Sequence, residues 1–498
     1  MAPRDPADPV PDLILVLDEG TTSTRALAFD HSGAIVASAA RPITQHYPAS
    51  GWVEHDATEL WTLSDDCLEE VAAAVGPERI ACLGLTNQRE TVAFWDAASG
   101  EPLTPAIVWQ DRRGADLCDR WRAEGLEPTV QATTGLVLDP YFSASKIAWA
   151  LAHWPAVAAA AAAGTLRLGT IDSWLLWQLT GGAVHATDAT NASRTLLMDL
   201  ATCRWDAGLI ARLGVPAGAL PAITDCAGPL GTATIGGRDT PITGCAGDQH
   251  AAAIGQACLL AGMAKATFGT GTFVLAHAGT APPVSTHRLL ATLAWRLDGV
   301  PAYALEGSVF TAGAAVQWLR DGLGLIGTAA ETEILARSVP DSDGIVVVPA
   351  FTGLGAPHWR ADVRGLITGV TAATTRAHVA RATLEAVVQQ TADLMDALAA
   401  DGVAATRLRV DGGMVANDWL CQHLADVLGV PVERPRVIET TALGAAMLAG
   451  VGAGLFTDLA AASAMHAVNR VFTPGVDIGA RAAGRARWAH AVRQALTT

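Results

Sequence analysis

The turn at residues 18–24, DEGTTST, gathers two carboxylates, a glycine and four hydroxyl groups between two apolar runs. Gly20 lets the backbone approach a ligand closely, and the N–H groups and hydroxyls of the turn can donate to phosphate oxygens. Asp18 can hold a magnesium ion, and Arg25 adds a positive charge. We therefore predict a phosphate-binding turn, with a purely structural hairpin tip as the alternative. The hydroxyl-bearing residues are Thr21, Thr22, Ser23 and Thr24.

A second candidate is Asp248 in the segment ITGCAGDQHAAAIGQ, residues 242–256. A strand-like run ends at Gly244, and the helix-like residues 249–258 follow Asp248. A carboxylate aimed from a helix start into a cleft can accept the proton of an alcohol as a general base, and the helix N-terminus favours its ionised form. An aspartate at such a point also commonly serves as a helix N-cap. The residues alone leave both interpretations open.

Two glycine-rich turns later in the chain could approach a nucleotide. The segment TFGTGTFVLAHAG, residues 267–279, repeats the strand, Gly-Thr turn and strand order of residues 17–30. In VDGGMVANDW, residues 410–419, the double glycine gives a ring or phosphate room, and Asn417 can hydrogen-bond an adenine edge. One such turn is usually structural. Two hairpins, one in each half, predict a duplicated architecture whose turns face each other across a cleft.

Three short polar segments, TNQRE, VWQDRR and DPYFSASK, could form a pocket for a small polyol. A polyol hydroxyl both donates and accepts, so its complement is a donor beside an acceptor, which Arg89 and Glu90 supply. Trp109, Tyr141 and Phe273 could provide flat apolar walls against the carbon chain. Adjacent charges in a loop are often only solvated, so an ordinary exposed loop is the alternative.

The elements that must position these residues alternate between strand-like and helix-like segments. This alternation predicts an α/β chain with mixed sheets, and a length of 498 residues favours two domains. The Gly/Pro/Thr-rich stretch 236–247 is the nearest approach to a seam between them. The first predicted strands are 13–17, 26–29 and 80–85, the first predicted helices are 59–75 and 170–179, and further segments of both kinds recur at 344–349, 376–396, 407–410 and 418–428.

Composition argues against several classes of partner. The formal net charge of −16 and the pI near 5.2 are unfavourable for binding nucleic acid or an anionic membrane surface. Residues 1–12 carry no apolar signal segment and predict a disordered tail. The Ala-rich run 147–164 is broken by His153 and Pro155, so we expect no membrane insertion. The eight cysteines form no C-x-x-C pair, which is typical of buried thiols in a cytoplasmic protein.

These stretches, in their order along the chain, resemble one family, the FGGY carbohydrate kinases, from about residue 13 to residue 460. The resemblance implies an α/β fold of two actin-like, ribonuclease H-like domains around a deep nucleotide and substrate cleft. It implies an N-terminal domain at 13–250 that binds polyol and phosphate, and a C-terminal domain at 251–498 that binds the nucleotide. The matching stretches include DEGTTSTRALAFD, LTNQRETVAFWD, AIVWQDRR, TGLVLDPYFSASKIAW, AGDQHAAAIGQ, GTGTFVLAHAG, LEGSVFTAGAAVQWLRDGLGLI, PAFTGLGAPHW and LRVDGGMVANDWL.

The resemblance implies transfer of the γ-phosphoryl group of ATP to a small polyol, and it is strongest to the members that phosphorylate glycerol to sn-glycerol 3-phosphate. Asp248 matches the family's general base, and Asp18 and Asp248 match residues that hold Mg²⁺. A homodimer or homotetramer is expected. The substrate-binding residues implied are Arg89, Glu90, Trp109, Tyr141, Asp248, Gln249 and Phe273. The nucleotide-binding residues implied are Thr21, Thr22, Ser23, Arg25, Gly269, Thr270, Gly313, Gln317, Gly413, Met414 and Asn417.

Two other functions stay open at this point. One is phosphorylation of a different small polyol or triose, such as erythritol or dihydroxyacetone, and the other is a catalytically silent, nucleotide-binding regulator. Two departures from the family pattern bear on this choice: Glu19 and His250 each stand where a glutamine is usual. An ionised Glu19 near the phosphates would repel them, so we expect it to raise the magnesium requirement. His250 follows the predicted Asp248–Gln249 pair and bears on which polyol is preferred.

Overall fold

The structure of the chain, a computed structural model, describes residues 11–360, 362–476 and 478–497. Residues 1–10 of the predicted tail lie outside the described residues. Asp12, the last residue of that tail, is held against the first domain. Its N–H donates to the carbonyl oxygen of Arg79 at 2.9 Å, and its carboxylate pairs with the Arg79 guanidinium at 2.7 Å. The prediction of disorder is therefore wrong at Asp12.

The first half of the chain contains the predicted strand and helix alternation. Its strands are β1 Leu13–Glu19, β2 Ser23–Phe29, β3 Ile35–Pro42, β4 Glu54–His55, β5 Ile80–Asn87, β6 Val92–Asp96, β7 Ala106–Ile107, β8 Leu166–Thr170, β9 Ala186–Asp188, β10 Met198–Asp199, β11 Arg204–Trp205, β12 Ala222–Thr224, β13 Ala227–Ile235 and β14 Arg238–Gly247. Its helices are α1 Ala57–Val75, α2 Ala115–Ala123, α3 Glu127–Thr134, α4 Ser143–His153, α5 Pro155–Ala163, α6 Ile171–Leu179, α7 Ala189–Ala192, α8 Ala207–Arg212 and α9 Asp248–Gly255.

The second half repeats this alternation with fewer strands. Its strands are β15 Ala264–Phe268, β16 Thr272–Gly279, β17 Leu290–Leu297, β18 Val300–Val309, β19 Val346–Val348, β20 Leu366–Thr368, β21 Leu408–Asp411, β22 Val432–Pro435 and β23 Val468–Phe472. Its α-helices are α10 Gly313–Gln317, α11 Glu331–Ser338, α12 Arg376–Ala400, α13 Asp418–Leu428, α14 Thr440–Gly452, α15 Leu459–Ala462 and α16 Ile478–Thr497, and a 3₁₀ turn spans Gly413–Ala416.

Each half is built on one large mixed sheet. The first sheet has six strands in the order β13-β14-β5-β1-β2-β3, with β1, β5 and β14 parallel and β1-β2-β3 an antiparallel meander. The second has seven strands in the order β17-β18-β16-β15-β21-β22-β23, in which β15-β16-β18 is antiparallel and β15, β21 and β22 are parallel. Both sheets thus place a hairpin beside a parallel strand, and the predicted duplicated architecture is confirmed.

Two helices with close glycine contacts join the halves. Helix α14 lies against α9 and also covers buried residues of the first sheet, among them Ile14 and Val16. A β-carbon at Gly444 would come within 1.8 Å of the carbonyl oxygen of Ala251, and one at Gly255 within 2.0 Å of that of Thr440. Only glycine allows this approach without displacing a backbone. This contact holds the end of the first sheet beside the second half of the chain.

The predicted seam at residues 236–247 is wrong. Gly236 and Gly237 form the tight turn between β13 and β14, and residues 238–247 are strand β14 inside the first sheet. Glycine and proline content indicated a turn correctly, but a hairpin turn and a domain linker share that composition. The predicted domain boundary after His250 falls within helix α9.

The Ala-rich run 147–164 is divided between two helices, α4 and α5, that meet at Trp154 and Pro155. Among the described residues, none of the helices combines the length and the apolar composition that crossing a membrane requires.

Candidate active site

The first predicted phosphate turn joins β1 to β2, and Asp18 lies at its entry. Asp18 is 2 % exposed, and its carboxylate pairs with the Arg25 guanidinium at 2.5 Å. A second nitrogen of Arg25 pairs at 2.5 Å with Glu439, which precedes helix α14 in the second half of the chain. Burial raises the pKa of Asp18 to about 6, the Arg25 charge opposes the rise, and repulsion from Glu439 and Asp248 adds to it. Arg25 therefore links both halves of the chain at the predicted magnesium site.

The hydroxyl groups of this turn differ in their surroundings. Thr21 accepts a hydrogen bond at 2.9 Å from the indole N–H of Trp109, so the phosphate turn and the predicted polyol wall are directly connected. Thr22 is exposed and Ser23 is partly buried beside it, and both are accessible from the turn. Thr24 is fully buried and shares a hydrogen bond of 3.1 Å with Ser64, so it faces the interior. The predicted phosphate donors Thr21, Thr22 and Ser23 thus share one exposed turn.

Glu19 has the opposite orientation to the one expected. Side chains alternate along a strand, so Glu19 faces helix α1 while Asp18 is on the other side of β1. Glu19 is fully buried and accepts a hydrogen bond from the Ser64 hydroxyl at 2.6 Å. Burial raises its pKa to about 8, so the carboxyl group is mostly protonated at neutral pH. The expectation of an ionised Glu19 that repels the phosphates is therefore wrong.

The second predicted phosphate turn joins β15 to β16 and packs on the start of α10. Gly269 and Thr270 are exposed at the tip of the turn, as a phosphate contact requires. The N–H of Gly313 donates to the carbonyl oxygen of Gly269, and the N–H of Ala312 donates to that of Thr270, both at 2.9 Å. A β-carbon at Gly313 would lie 2.5 Å from the Gly269 oxygen and 3.6 Å from the Met414 sulfur. Four of the predicted nucleotide residues thus converge.

The double-glycine turn follows β21, and its second glycine is exposed. Asn417 caps α13, since its side-chain oxygen accepts from the N–H of Leu420 at 2.9 Å. Its amide nitrogen makes only a long contact of 3.5 Å with the Thr332 hydroxyl. The amide N–H₂ is therefore the part of Asn417 that could donate to a nucleotide base. Gln317 is exposed at the end of α10. Asn417 therefore has a structural role that the sequence interpretation did not include.

Asp248 is the first residue of α9, and Gly247 is the N-cap, so the N-cap interpretation of Asp248 is wrong. One carboxylate oxygen, Oδ1, accepts from the N–H of Gln249 at 2.6 Å and pairs with Nε of Arg89 at 3.0 Å. The side chain is 32 % exposed, unlike the arginine beneath it. The second oxygen, Oδ2, can therefore accept a proton from a ligand in the cleft.

The orientation of the Gln249 side chain is set by Lys265, a residue from the second half of the chain. Its side-chain oxygen accepts from the ammonium group of Lys265 in β15, and that group also donates to the Thr267 hydroxyl at 2.9 Å. With its oxygen engaged, Gln249 presents its amide N–H₂ as a donor to other groups. Lys265 is fully buried, and burial lowers its pKa.

Arg89 and Glu90 are adjacent buried charges in the loop after β5. Glu90 has φ of 60°, a left-handed conformation that non-glycine residues adopt with strain and mostly at functional sites. Arg194 donates to Glu90 Oε1 at 2.6 Å, and Arg89 donates to Glu306 at 2.6 Å. Glu90 and Arg89 are 1 % and 3 % exposed, so the alternative of solvated loop charges is wrong.

Glu306 and Arg194 were missed by the sequence interpretation, as was Lys265. Glu306 is the only charged side chain in the buried part of β18, residues 302–309. A lone carboxylate inside an apolar strand must find a cationic partner, so it was a usable signal for a buried ion pair. Nothing in the sequence indicated which cation it meets.

The three aromatic residues predicted to wall the polyol pocket lie close to one another. The ring centroids of Trp109 and Tyr141 lie 5.6 Å apart, and those of Trp109 and Phe273 lie 6.4 Å apart, both in edge-to-face geometry. Phe273 belongs to β16, whereas Trp109 follows β7, so the wall is built from both halves of the chain. Burial raises the pKa of Tyr141, which stays protonated and can donate from its hydroxyl.

His250 lies behind this site. It is fully buried, and its Nε2 is 3.3 Å from the Thr292 hydroxyl. Burial, together with the charge of Arg89, lowers the pKa of His250 well below its ordinary value, so the ring is neutral. A β-carbon at Gly247 would lie 3.3 Å from its Nδ1 and 2.6 Å from the Arg89 stem. His250 therefore packs beside the Arg89 stem as a neutral group.

Comparison with known proteins agrees with this architecture. The N-terminal domain model of the FGGY family of carbohydrate kinases matches residues 13–255, and the C-terminal domain model matches residues 264–453. The glycerol kinase of Rhodospirillum rubrum is 54 % identical over 486 residues, covering 97 % of this chain and 98 % of the relative. That of Aromatoleum aromaticum is 52 % identical over 487 residues, with 97 % and 98 % covered.

A solved structure is similar over the same length. The crystal structure of Plasmodium falciparum glycerol kinase with ADP has a TM-score of 0.92 and 36 % identity, and the match covers 97 % of this chain and 98 % of that one. The TM-score shows that the two proteins share one fold over nearly their whole lengths. The chain belongs to the FGGY family of carbohydrate kinases.

Proposed function

We propose that this protein transfers the γ-phosphoryl group of ATP to glycerol and forms sn-glycerol 3-phosphate and ADP. The observation that carries the proposal is the convergence of three groups in one place. Arg89 pairs with the partly exposed Asp248, Glu90 follows Arg89 in the same loop, and the wall formed by Trp109 and Phe273 is hydrogen-bonded to the first phosphate turn through Thr21. The identity to glycerol kinases over nearly the whole chain supports the same substrate.

Each polar group has a separate task toward a three-carbon polyol. Oε1 of Glu90 accepts from Arg194, so Oε2 can accept from one glycerol hydroxyl, and Arg89 can donate to that hydroxyl or its neighbour. Trp109 and Phe273 limit the space beside the carbon chain. A short polyol held in this way at one end leaves its other terminal hydroxyl for Asp248.

Asp248 is proposed as the general base. The terminal hydroxyl gives its proton to Oδ2 while its oxygen bonds to the γ-phosphorus and the bond to the β-phosphate bridging oxygen breaks. Oδ1 stays bonded to the Gln249 N–H and paired with Arg89, so the carboxylate keeps its orientation during the transfer. The turns at Thr22 and Gly269 are suited to bind the phosphates because Thr22, Gly269 and Thr270 are exposed at their tips.

We propose Mg²⁺ as the cation that accompanies ATP, held by Asp18 and Asp248. Asp248 and Glu439 are close enough to raise the pKa of Asp18 by repulsion, while Arg25 pairs with Asp18. Such an excess of carboxylate oxygens suits a hard divalent cation. When bound, magnesium supplies positive charge to the phosphate oxygens.

The experiment that tests the proposal is ADP release by the purified protein from Mg-ATP with a panel of acceptors. The panel contains glycerol, dihydroxyacetone, glyceraldehyde, erythritol, ribitol and no acceptor, and ³¹P NMR identifies the product. We expect glycerol to give the highest kcat/KM. A higher value with another acceptor, or equal ADP release without one, would contradict the proposal.

We further propose a homodimer or homotetramer. The outer strand β3 exposes Ile35 and Val36, and the outer strand β23 exposes Val468 and Val471. An unpaired sheet edge with exposed apolar side chains is a common place for association between chains. Light scattering after size-exclusion chromatography measures the mass directly, and a monomer at micromolar concentration would contradict this proposal.

The compartment is proposed to be the cytoplasm. All eight cysteines are free and buried, which agrees with a reducing environment. Burial raises the pKa of several of the thiols, among them Cys226 and Cys245, and so disfavours their oxidation.

A further inference from the structure

We propose that Glu306 is a positioning residue of the polyol site, which holds Arg89 and Arg194 so that they set Asp248 and Glu90 in place. This inference rests on the proposed function, because it concerns how the same site binds its substrate. Glu306 touches neither the proposed base nor the proposed hydroxyl acceptor, and it acts through the two arginines.

The carboxylate of Glu306 is shared between two guanidinium groups. Its Oε2 accepts from Nη1 of Arg89 at 2.6 Å, and its Oε1 accepts from Nη2 of Arg194 at 2.9 Å. All three side chains are at most 2 % exposed. Because each oxygen has its own arginine, the position of one carboxylate determines the positions of both cations.

Each arginine then contacts one acidic residue of the substrate site. Nε of Arg89 pairs with Asp248 at 3.0 Å, and Nε of Arg194 donates to Glu90 at 2.6 Å. The charges therefore form a chain with Glu306 at its centre and the two acidic groups at its ends. It contains two positive and three negative groups, and Asp248 is its most exposed member.

Glu306 is ionised in this environment. Burial alone would raise its pKa, but the adjacent charges of Arg194 and Arg89 lower it far below the ordinary value. Without that negative charge, two buried guanidinium groups would face each other and repel. Removal of the charge should therefore displace Arg89 and Arg194 together rather than one of them.

Glu306 comes from strand β18 of the second sheet, whereas both arginines come from the first half of the chain. The substrate site is thus held in place from the opposite domain. Arg194 also stacks on the rings of Tyr141 and Phe142, with its central carbon 5.5 Å and 5.2 Å from their centroids. A displaced Arg194 would therefore also disturb the aromatic part of the site.

The chain offers a matched control in Glu433. This carboxylate lies in β22 of the same sheet, is 6 % exposed, and is also shared by two arginines, Arg407 at 2.6 Å and Arg409 at 3.0 Å. It contacts none of the proposed substrate residues. Glu433→Gln therefore reproduces the loss of a shared buried carboxylate without affecting the polyol site.

The test compares steady-state kinetics of the wild type, Glu306→Gln, Glu306→Asp and Glu433→Gln, with KM measured separately for glycerol and Mg-ATP. We expect Glu306→Gln to raise the glycerol KM by about tenfold or more, since hydrogen bonds to charged groups are lost. The Mg-ATP KM should stay within about twofold. Glu306→Asp, which keeps the charge, should give an intermediate glycerol KM, and Glu433→Gln should leave it unchanged.

An unchanged glycerol KM in Glu306→Gln would overturn the inference, and so would an equal rise in both KM values or the same rise in Glu433→Gln. If Glu306→Gln does not fold, Arg194→Lys replaces it, because a lysine keeps the charge but cannot bridge Glu306 and Glu90. A normal glycerol KM in Arg194→Lys would likewise overturn it. A wild type that does not phosphorylate glycerol would refute the proposed function itself, which separates the two failures.

Discussion

Substitution of Glu19 by glutamine should stabilise the protein at neutral and alkaline pH. Glu19 is fully buried under the phosphate turn, and its carboxyl group accepts a hydrogen bond from Ser64. Its pKa rises from an ordinary value of 4.5 to about 8, mainly because of burial. Folding at pH 7 therefore requires this group to take up a proton that it does not carry in the unfolded chain.

The size of the effect follows from the two pKa values. A proton taken up at pH 7 by a group with an unfolded pKa of 4.5 costs about 3 kcal/mol of folding free energy. Because the folded pKa is the higher one, the contribution of Glu19 to stability is fully present below pH 4.5 and declines as pH rises to about 8. The full decline is about 5 kcal/mol. Glutamine is neutral in both states and can still accept from Ser64, so it removes the decline.

The assay is unfolding by urea and by heat at about pH 5 and pH 8, without magnesium or nucleotide. We expect the stability of Glu19→Gln relative to the wild type to increase by about 3–5 kcal/mol from pH 5 to pH 8. Each kcal/mol corresponds to about 2–4 °C in Tm. The control is Glu70→Gln on the exposed side of helix α1, where the side chain is 52 % exposed. That variant should change stability by less than about 0.5 kcal/mol and equally at both pH values.

A wild-type stability that does not fall between these pH values, or a Glu19→Gln variant that loses stability at pH 8, would refute the reasoning. The same variant should leave the magnesium titration of activity unchanged, because a neutral, inward-facing group exerts no charge on the phosphates. A clear shift of that titration would mean that Glu19 is ionised and faces the cleft.

Two further substitutions test the first phosphate turn. Trp109→Phe keeps an aromatic wall but loses the hydrogen bond to Thr21, so KM for both glycerol and Mg-ATP should rise by about fivefold. Trp61→Phe on helix α1 is the control. An unchanged Mg-ATP KM in Trp109→Phe would contradict the proposed link between the wall and the phosphate turn. Asp18→Asn should raise the Mg²⁺ concentration for half-maximal activity by about tenfold or more, and an unchanged magnesium titration would exclude Asp18 as a ligand.

Local structure could be predicted well where the pattern is short-range. Strand β1 and helix α13 follow from apolar periodicity, and α13 has the predicted bounds of residues 418–428. The two Gly-Thr hairpins also lie at equivalent places in the two sheets. These features depend on neighbouring residues, which a sequence displays directly.

Orientation and long-range pairing could not be predicted in the same way. The strand period places Asp18 and Glu19 on opposite faces, but the sequence does not say which face borders the cleft. Glu306 is 217 residues from Arg89 along the chain, so their ion pair depends on the packing of two domains. The Gly/Pro-rich stretch 236–247 was misassigned because composition alone does not separate a hairpin from a linker.

The central claim is that Asp248 accepts the proton of a glycerol hydroxyl during phosphoryl transfer. The most direct measurement is a single-turnover assay of glycerol 3-phosphate formation by the wild type and by Asp248→Asn, with ATP binding measured on the same samples by calorimetry. The account predicts that the variant binds ATP without added metal as the wild type does and forms product at least about 10²–10⁴-fold more slowly. Product formation by the variant at the wild-type rate would contradict it.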